Sequence, residues 1–441
     1  MITKEELNPP LTTVPRARSF AAPTLSAFAI IAALTLSACG SPSSASTDSP
    51  AASEHPHGSH AAPAAEGTEV DAAAPRLVLT HDGGMSVLDA ATGKVTADLP
   101  LAGFNRVSPA GDGRHVLVST TAGFQVLDMG SWSEPHGDHH HHFTAPPELQ
   151  ERLFSATKPG QVVGHAGKTA LFDDGTGEVQ VFTSKDLEAA ELPTTQNFKT
   201  SAAHHGVAVQ LAKGQLVVTN GTSEARTGAT LLDKPGADGA RAVLAQSDEC
   251  PGVHGEASAK DEAVVLGCED GTLLIKDGII TKISSPDGHG RIGTQAGSAT
   301  SSIVLGDYKT DKDAEHERPA AFSLTDTATG KLTTVAIDYS YSFRSLARGA
   351  KGEALILGTD GKLHIHDAHS GKETAAIAAV APWEEPTQWQ QPRPALFSNG
   401  KTAYVSDPAK KLLQVIDLSS GTVSATHPLP HVPNEITGIS G

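Results

Sequence analysis

The chain has 441 residues, with 50 acidic against 33 basic side chains and a formal net charge of −17. An acidic excess of this size argues against nucleic acid or another polyanion as a partner. Aromatic residues make up 4% of the sequence while glycine occurs 43 times, which indicates many tight turns and few long helices. The length is enough for one large all-β domain or two smaller ones.

Residues 1–38 predict a lipoprotein signal peptide. Arg16 and Arg18 precede an apolar run over 20–36, and Leu-Ser-Ala then leads into Cys39. A basic start, a short apolar stretch and small residues before a cysteine indicate export and lipid attachment at Cys39. The alternatives are a plain signal peptide with an incidental cysteine, or a membrane span, which needs roughly 20 apolar residues. We therefore expect an extracytoplasmic protein anchored to the outer face of the cell membrane.

Residues 39–75 predict a disordered tether. They are mainly Ala, Ser, Pro, Gly and His, with almost no large apolar side chain. Such a segment cannot bury enough surface to offset the entropy of ordering its backbone. It also carries three histidines, His55, His57 and His60.

A repeated pattern over residues 76–441 predicts a single β-propeller. Short β-branched runs alternate with Gly-containing turns, and the motif D-x-x-[ST]-G recurs at 89–93, 326–330, 367–371 and 417–421. Its Asp caps a hairpin turn while its Gly supplies positive φ. Candidate innermost strands start mostly 40 to 50 residues apart, the period of a four-stranded blade. These starts lie near Asn105, Val163, Ala203, Val253, Ile292, Phe343 and Ala395.

We expect eight blades, with Glu435 to Ile439 pairing with the first strand after Arg76 to close the ring; seven blades are the alternative. A tandem of β-sandwiches is the competing fold.

An insertion over residues 132–159 interrupts the repeat with a His-rich loop, and Pro146 to Phe154 beyond it predict a short helical turn. Neutral imidazole is the commonest metal ligand at neutral pH, so this loop is a candidate for capturing and passing on a metal ion. A solvated low-complexity loop is the alternative. The candidate residues are His136, Asp138, His139, His140, His141 and His142.

A second group of histidines stands before predicted strand-and-turn units. If these positions match between neighbouring blades, their side chains could converge in the central channel and form a tetrahedral zinc site, with Glu256 or Asp128 supplying an oxygen. Strand alternation would point His204 and His205 to opposite faces, so one of them would ligate. Alternatively, these histidines only form hydrogen bonds within their blades. The candidate ligands are His165, His204, His205, His254 and Glu256.

Cys250 and Cys268 remain after Cys39 is assigned to the lipid. An even pair in an exported chain predicts a disulfide. A metal-thiolate pair is the alternative, although the spacing is not that of a CxxC clip.

The remaining histidines suggest no further site. His364 and His366 share one face of a predicted strand, where a solvated surface is expected rather than an ion site. We treat the others as background: His81, His115, His289, His316, His427 and His431.

No catalytic motif is evident. The sequence contains no G-x-S-x-G elbow, H-E-x-x-H helix, phosphate-binding lysine loop or dinucleotide-binding glycine motif. A metal hydrolase would need an open coordination position and a base, for which Glu256 is the candidate. We therefore expect a protein that is not an enzyme.

The combined motifs resemble the AztD family of zinc metallochaperones. The resemblance includes Gly164 to Lys168, Phe172 to Gly177, Ala203 to Gly206 and Cys250 to Glu256, together with the His-rich loop. It implies a propeller that binds Zn²⁺ and transfers it to the solute-binding protein of an AztABC-type ABC importer.

Carried over to this chain, the resemblance places the five candidate ligands in or near a buried site, Cys250 and Cys268 in a disulfide, and His136 to His142 in the transfer loop. The lipidation motif departs from soluble periplasmic chaperones. We expect a monomer, and a surface-anchored scaffold without a metal role is the alternative function.

Overall fold

The computed structural model describes residues 67–314 and 318–441. The predicted signal peptide, Cys39, most of the tether with His55, His57 and His60, and His316 lie outside these residues. Within them, no helix has the length and apolar character needed to cross a membrane.

Strands form nearly all of the regular structure, and two short 3-10 helices cover Ser184–Glu188 and Lys260–Glu262. The strands are β1 (Thr68–Val70), β2 (Arg76–His81), β3 (Gly84–Asp89), β4 (Val95–Pro100), β5 (Arg106–Pro109), β6 (His115–Thr120), β7 (Gly123–Asp128), β8 (Ser131–His136), β9 (His139–Thr144), β10 (Glu148–Ser155), β11 (Pro159–His165), β12 (Lys168–Asp173), β13 (Glu178–Thr183), β14 (Gln196–Lys199), β15 (Ala208–Gln210), β16 (Leu216–Gly221), β17 (Arg226–Leu232), β18 (Val243–Ser247), β19 (His254–Ala259), β20 (Ala263–Cys268), β21 (Gly271–Lys276), β22 (Ile279–Ser284), β23 (Gln295–Ala296), β24 (Ile303–Tyr308), β25 (Ala321–Asp326), β26 (Lys331–Ala336), β27 (Tyr341–Arg348), β28 (Ala354–Gly358), β29 (Lys362–His366), β30 (Glu373–Ala378), β31 (Ala395–Asn399), β32 (Thr402–Asp407), β33 (Leu412–Asp417), β34 (Thr422–Pro428) and β35 (Ile436–Ile439).

In the described ranges these strands form eight four-stranded antiparallel sheets and one three-stranded sheet. Six large sheets contain four consecutive strands, from β11–β14 to β31–β34. One sheet is β5-β6-β7-β10, and the hairpin β8–β9 leaves it between its third and fourth strands. The eighth sheet is β35-β2-β3-β4, in which Ile439 lies opposite Arg76 and Ile436 lies opposite Leu79. The predicted pairing of the C-terminal strand with the first strand after the tether is confirmed.

Buried apolar side chains fill the gaps between successive sheets. One cluster packs Leu413 and Val415 of the β31–β34 sheet against Leu77 and Leu88 of the sheet that contains β35. A similar cluster lies between each other pair of neighbouring four-stranded sheets in the described residues. Burying a Leu or Val side chain contributes roughly 1.5–3 kcal/mol, so these interfaces stabilise a closed series of sheets. The all-β architecture is consistent with the predicted β-propeller.

The predicted D-x-x-[ST]-G turns are confirmed. Asp89 Oδ1 accepts hydrogen bonds from Thr92 N at 2.8 Å and from Thr92 Oγ1 at 2.7 Å, and Gly93 has φ +67°. Asp367 Oδ1 accepts the corresponding bond from Ser370 N at 2.8 Å. The motif therefore closes hairpins by the mechanism predicted from its residue types.

Two expectations about irregular segments are corrected. Thr68–Val70, inside the range predicted as tether, forms β1 and pairs with β9. The insertion over 132–159 is largely strand, and β10 replaces the predicted helical turn. Its backbone pairs with β7, and its Phe154 ring stacks on Phe182 at 4.7 Å. Pairing with an otherwise open strand edge outweighed the local helix preference.

Candidate metal centre

The His-rich segment is a β-hairpin that presents three imidazoles on one face. Strands β8 and β9 are joined by the turn Gly137-Asp138, in which Gly137 has φ +61°. His136 lies directly opposite His139. Because side chains alternate along a strand, His141 projects to the same side as His139.

The three imidazoles are close enough to share an ion. One nitrogen from each of His136, His139 and His141 lies within 4.8 Å of the other two. His141 Nε2 is 3.3 Å from His136 Nδ1, and His141 Nδ1 is 2.5 Å from Glu69 Oε1 of β1. Glu69 therefore fixes the His141 ring, an arrangement that orients ligating histidines in metal sites. His136 and His139 are exposed, so solvent reaches the site.

The other residues of the predicted transfer segment lie outside this group. His140 belongs to the opposite face of β9. His142 Nδ1 donates to Ser133 Oγ at 2.7 Å, and Ser133 in turn donates to the Gly441 carbonyl at 2.9 Å. Asp138 lies at the exposed tip, where its Oδ1 is 3.2 Å from His139 Nδ1. Because side chains alternate between the two faces of a strand, the consecutive histidines of β9 have different surroundings on each face.

Two of the five predicted channel ligands also meet. His254 begins β19 and His205 lies three residues before β15, and their Nε2 atoms are 3.1 Å apart. His205 Nδ1 is 2.5 Å from Asp174 Oδ2, and His254 Nδ1 is 2.6 Å from the Gly293 carbonyl oxygen. Both rings are therefore held through Nδ1 with their second nitrogens facing each other.

The position of the proton on His254 determines what can lie between the two facing Nε2 atoms. The Gly293 carbonyl only accepts, so His254 Nδ1 carries the proton. Burial lowers the pKa of His254 to about 4; the Gly293 bond opposes this, while His205 and nearby arginines add to it. His254 is then neutral at pH 7 and its Nε2 has a free lone pair. This lone pair can accept a hydrogen bond from His205 Nε2, or it can bind a cation that lies between the two rings.

Glu256 lines the same cavity as the histidine pair. The cavity has a volume of about 500 Å³, and Arg106, Arg291 and Lys309 also line it. Burial raises the pKa of Glu256 to about 8, so its carboxyl group is largely neutral at pH 7. The structure does not bring it into one ligand group with both histidines, so it would have to move and lose a proton to ligate.

The expected convergence of His165 with the pair is corrected. His165 is the last residue of β11, whereas His254 is the first residue of β19, so they occupy opposite ends of corresponding strands. His165 Nε2 lies 3.1 Å from Glu262 Oε1. Both histidines precede a predicted strand-and-turn unit in the sequence, but the position of each histidine relative to its strand differs.

His204 and Asp128 serve within the sheets rather than at the pair. The buried His204 ring contacts the Ala202 carbonyl at 3.0 Å and Thr219 Oγ1 at 3.1 Å. Asp128 accepts from Arg114 Nη2 at 2.6 Å in a buried ion pair. The alternative hypothesis, that these histidines only form hydrogen bonds within their blades, therefore describes His204.

The expected solvated face of His364 and His366 is also corrected, because both are buried. His364 Nδ1 is 2.7 Å from Glu373 Oε2, and His366 Nε2 is 2.9 Å from the Tyr339 hydroxyl.

Sequence reasoning missed the groups that orient the candidate ligands. Asp174 and the Gly293 carbonyl hold the cavity pair, and Glu69 holds the hairpin group. One sequence feature pointed to Asp174: it belongs to the Asp-Asp-Gly turn after β12, which forms part of the family resemblance. No feature of the sequence marks Glu69, because the composition of residues 39–75 predicts a tether rather than a strand.

The predicted disulfide is present. Cys250 and Cys268 are bonded, with their Cα atoms 5.0 Å apart. The Cys250 backbone starts the tight turn that leads to His254, and Val253 N donates to the Cys250 carbonyl at 3.2 Å. The bond therefore fixes the approach to the cavity pair, and it rules out the alternative of a metal-thiolate pair in this state.

Comparison with known proteins matches this architecture. The zinc chaperone AztD of Citrobacter koseri is 25% identical over 375 residues, which cover 81% of this chain and 84% of that protein. A crystal structure of Citrobacter koseri AztD superposes with a TM-score of 0.71 at 23% identity, covering 84% of this chain and 99% of that chain. The resemblance to AztD is confirmed.

The apo structure of Citrobacter koseri AztD gives a TM-score of 0.70 at 23% identity, covering 84% of this chain and 100% of that chain. No family model matches the chain. The AztD structures thus support the fold over 84% of the chain.

Proposed function

We propose that this chain is a zinc-binding metallochaperone and that the hairpin group is its transfer site. The observation that carries the proposal is the set of three imidazoles, His136, His139 and His141, gathered on an exposed hairpin. Three neutral nitrogen donors suit Zn²⁺, whereas Ca²⁺ and Mg²⁺ require oxygen donors. The similarity to a zinc chaperone supports zinc among the metals that imidazole binds.

The exposure of the hairpin favours transfer over storage. Three ligands leave a tetrahedral ion with one open position, into which an acceptor's side chain can enter before the donor's ligands leave. Glu69 keeps one ring in place while His136 and His139 face solvent. A site of this kind exchanges its ion with a partner more readily than a closed four-ligand site.

The His205–His254 pair is proposed as a second zinc position. Its facing Nε2 atoms and the partners on both Nδ1 atoms form two ready ligands with fixed orientation. In the apo protein a shared proton would occupy the gap, and zinc binding would displace it. His165, His204 and Glu256 are not retained as direct ligands in this arrangement.

The cellular setting of the proposal follows from the sequence and the resemblance. Lipidation at Cys39 would keep an eight-bladed propeller at the outer face of the membrane, beside an ABC importer. Its solute-binding protein would receive the zinc from a monomeric donor. The absence of catalytic motifs and the similarity to a chaperone favour a carrier over an enzyme.

Zinc binding and transfer by a triple variant test the proposal. His136, His139 and His141 are changed together to Gln, and His140→Gln on the opposite face serves as the matched control. We expect the triple variant to lose one zinc equivalent in chelator competition and to deliver zinc more slowly to a solute-binding protein in stopped-flow measurements. The control should match the wild type.

Wild-type protein that binds no zinc would support the scaffold alternative. Equal stoichiometry and transfer rates in the wild type and the triple variant would remove the hairpin from the mechanism.

A further inference from the structure

A third group of possible ligands lies away from the hairpin and the cavity pair. His81 ends β2, Asp98 belongs to β4, and His431 lies between β34 and β35. The sequence expectation that His81 and His431 are background is wrong, because the fold brings both rings to one carboxylate. Their separation of more than 300 residues hides this from any local pattern.

The donor atoms of the three residues converge. His81 Nε2 is 3.0 Å from Asp98 Oδ1, and His431 Nε2 is 2.9 Å from Asp98 Oδ2. One ligand atom from each residue lies within 4.8 Å of the other two. The two imidazole rings stack at 3.9 Å, so both Nε2 atoms approach the carboxylate from the same side.

The hydrogen bonds of His81 indicate that a positive charge belongs at this point. His81 Nδ1 lies 2.9 Å from the Asp82 carbonyl oxygen, which only accepts, so Nδ1 is the donor. A neutral His81 would then aim the lone pair of Nε2 at a carboxylate oxygen. That contact is repulsive unless Nε2 is protonated or a cation bridges the two atoms.

The site is anchored on one side and open on the other. The His81 side chain is 8% exposed, while those of His431 and Asp98 are 42% and 48% exposed. Gly84 lies opposite His81 in the β2–β3 pairing, and a Cβ there would approach His81 Cε1 at 3.1 Å. One buried imidazole, a second partly exposed one and an exposed carboxylate leave room for water to complete a coordination shell.

We propose that His81, Asp98 and His431 bind a divalent first-row transition-metal ion. Two imidazole nitrogens and one carboxylate oxygen are a donor set that such ions accept, with solvent in the remaining positions. On binding, the ion would take the position between the two Nε2 atoms and the carboxylate and displace any proton shared there. This site shares no residue with the proposed transfer site.

A metal ion at this position would stabilise the pairing of the C-terminal segment with β2, which closes the series of sheets. His431 precedes the segment in which Asn434 N donates to the Thr80 carbonyl at 2.8 Å and Glu435 N donates to Thr80 Oγ1 at 3.0 Å. Strand β35 then pairs with β2. An ion held by His81, Asp98 and His431 would therefore link this connecting segment to the sheet that it completes.

Zinc titration of the full chain without the other two ligand groups tests this inference. The background variant carries Gln at the positions of His136, His139, His141, His205 and His254. We expect it to retain one equivalent of Zn²⁺ at pH 7.5 and to show a higher Tm with zinc than with EDTA. Adding His431→Gln should abolish both effects, whereas adding the exposed His369→Gln should change neither.

Two results would overturn the site. One is a background variant that binds no zinc while its circular dichroism is native, in which case the group is an imidazolium–carboxylate cluster only. The other is retention of the zinc equivalent after both His431→Gln and Asp98→Asn. Failure of the hairpin proposal looks different, because it is judged from His136, His139 and His141 in an otherwise wild-type chain.

Discussion

The hairpin histidines and the cavity histidines are held in opposite ways. His136 and His139 project from an exposed strand pair, and only His141 of that group has a carboxylate partner from another strand, Glu69. His205 and His254 are each fixed through Nδ1, one by Asp174 and the other by the Gly293 backbone. The hairpin offers more ligands, whereas the cavity offers better-oriented ones.

Under the proposed function, this difference gives the two histidine groups different roles. Orientation by a partner group raises affinity because less ordering is needed when the metal binds. Exposure and an open coordination position favour exchange with an acceptor. Under the proposed function, the cavity pair would hold an ion and the hairpin would pass it on.

Removing the disulfide should give the largest stability effect and should separate the two sites. Changing Cys250 and Cys268 together to Ala is expected to lower the free energy of unfolding by about 2–4 kcal/mol in urea titrations, since the bond restricts the unfolded chain. Zinc binding at the cavity pair, measured in the hairpin triple variant, should weaken because the turn before His254 loosens. Hairpin binding should not change, and an equal loss at both sites would contradict the comparison.

Removing the carboxylate behind each ligand group tests the role of orientation. Asp174→Asn should weaken zinc binding at the cavity pair by roughly 10–100-fold, the range found when the partner of a ligating histidine is lost. Glu69→Gln should have a smaller effect on the hairpin, where two of the three rings do not depend on it. Chelator competition measures both, and a larger effect of Glu69→Gln would reverse the assignment of the two sites.

Glu256→Gln tests how far the cavity excludes water from the Glu256 carboxyl group. It should give the smallest change in the free energy of unfolding. Burial raises the pKa of Glu256 to about 8 in the folded chain, so between pH 4.5 and 8 the native state keeps a proton that the unfolded state has lost. The wild type therefore loses stability as pH rises through this window. In EDTA the Gln variant should match the wild type at pH 5 and exceed it by about 1–2 kcal/mol at pH 8, given about 1.4 kcal/mol per pKa unit and partial solvation of the cavity.

Urea unfolding at the two pH values provides this measurement. If the difference in unfolding free energy between wild type and Glu256→Gln did not depend on pH, the cavity would be as hydrated as the exposed hairpin.

Local sequence patterns predict much of the fold. The turn at Asp89 to Gly93 needs an acceptor at its first position and positive φ at its last, so the sequence alone identifies it. The strand period and the closing role of Glu435 to Ile439 follow from repetition. By contrast, the sequence predicts a helical turn where the structure has β10, because only the fold supplies the edge of β7 with which β10 pairs.

The sequence by itself determined that the chain is rich in strands and turns, that Cys250 and Cys268 form an even pair, and that imidazoles concentrate between 136 and 142. Only the tertiary structure decided which imidazoles meet. His165 and His254 have similar neighbours in sequence yet lie at opposite ends of their strands, while His81 and His431 share a carboxylate across most of the chain length. Strand register and ring closure, which depend on contacts between distant segments, set the positions of these side chains.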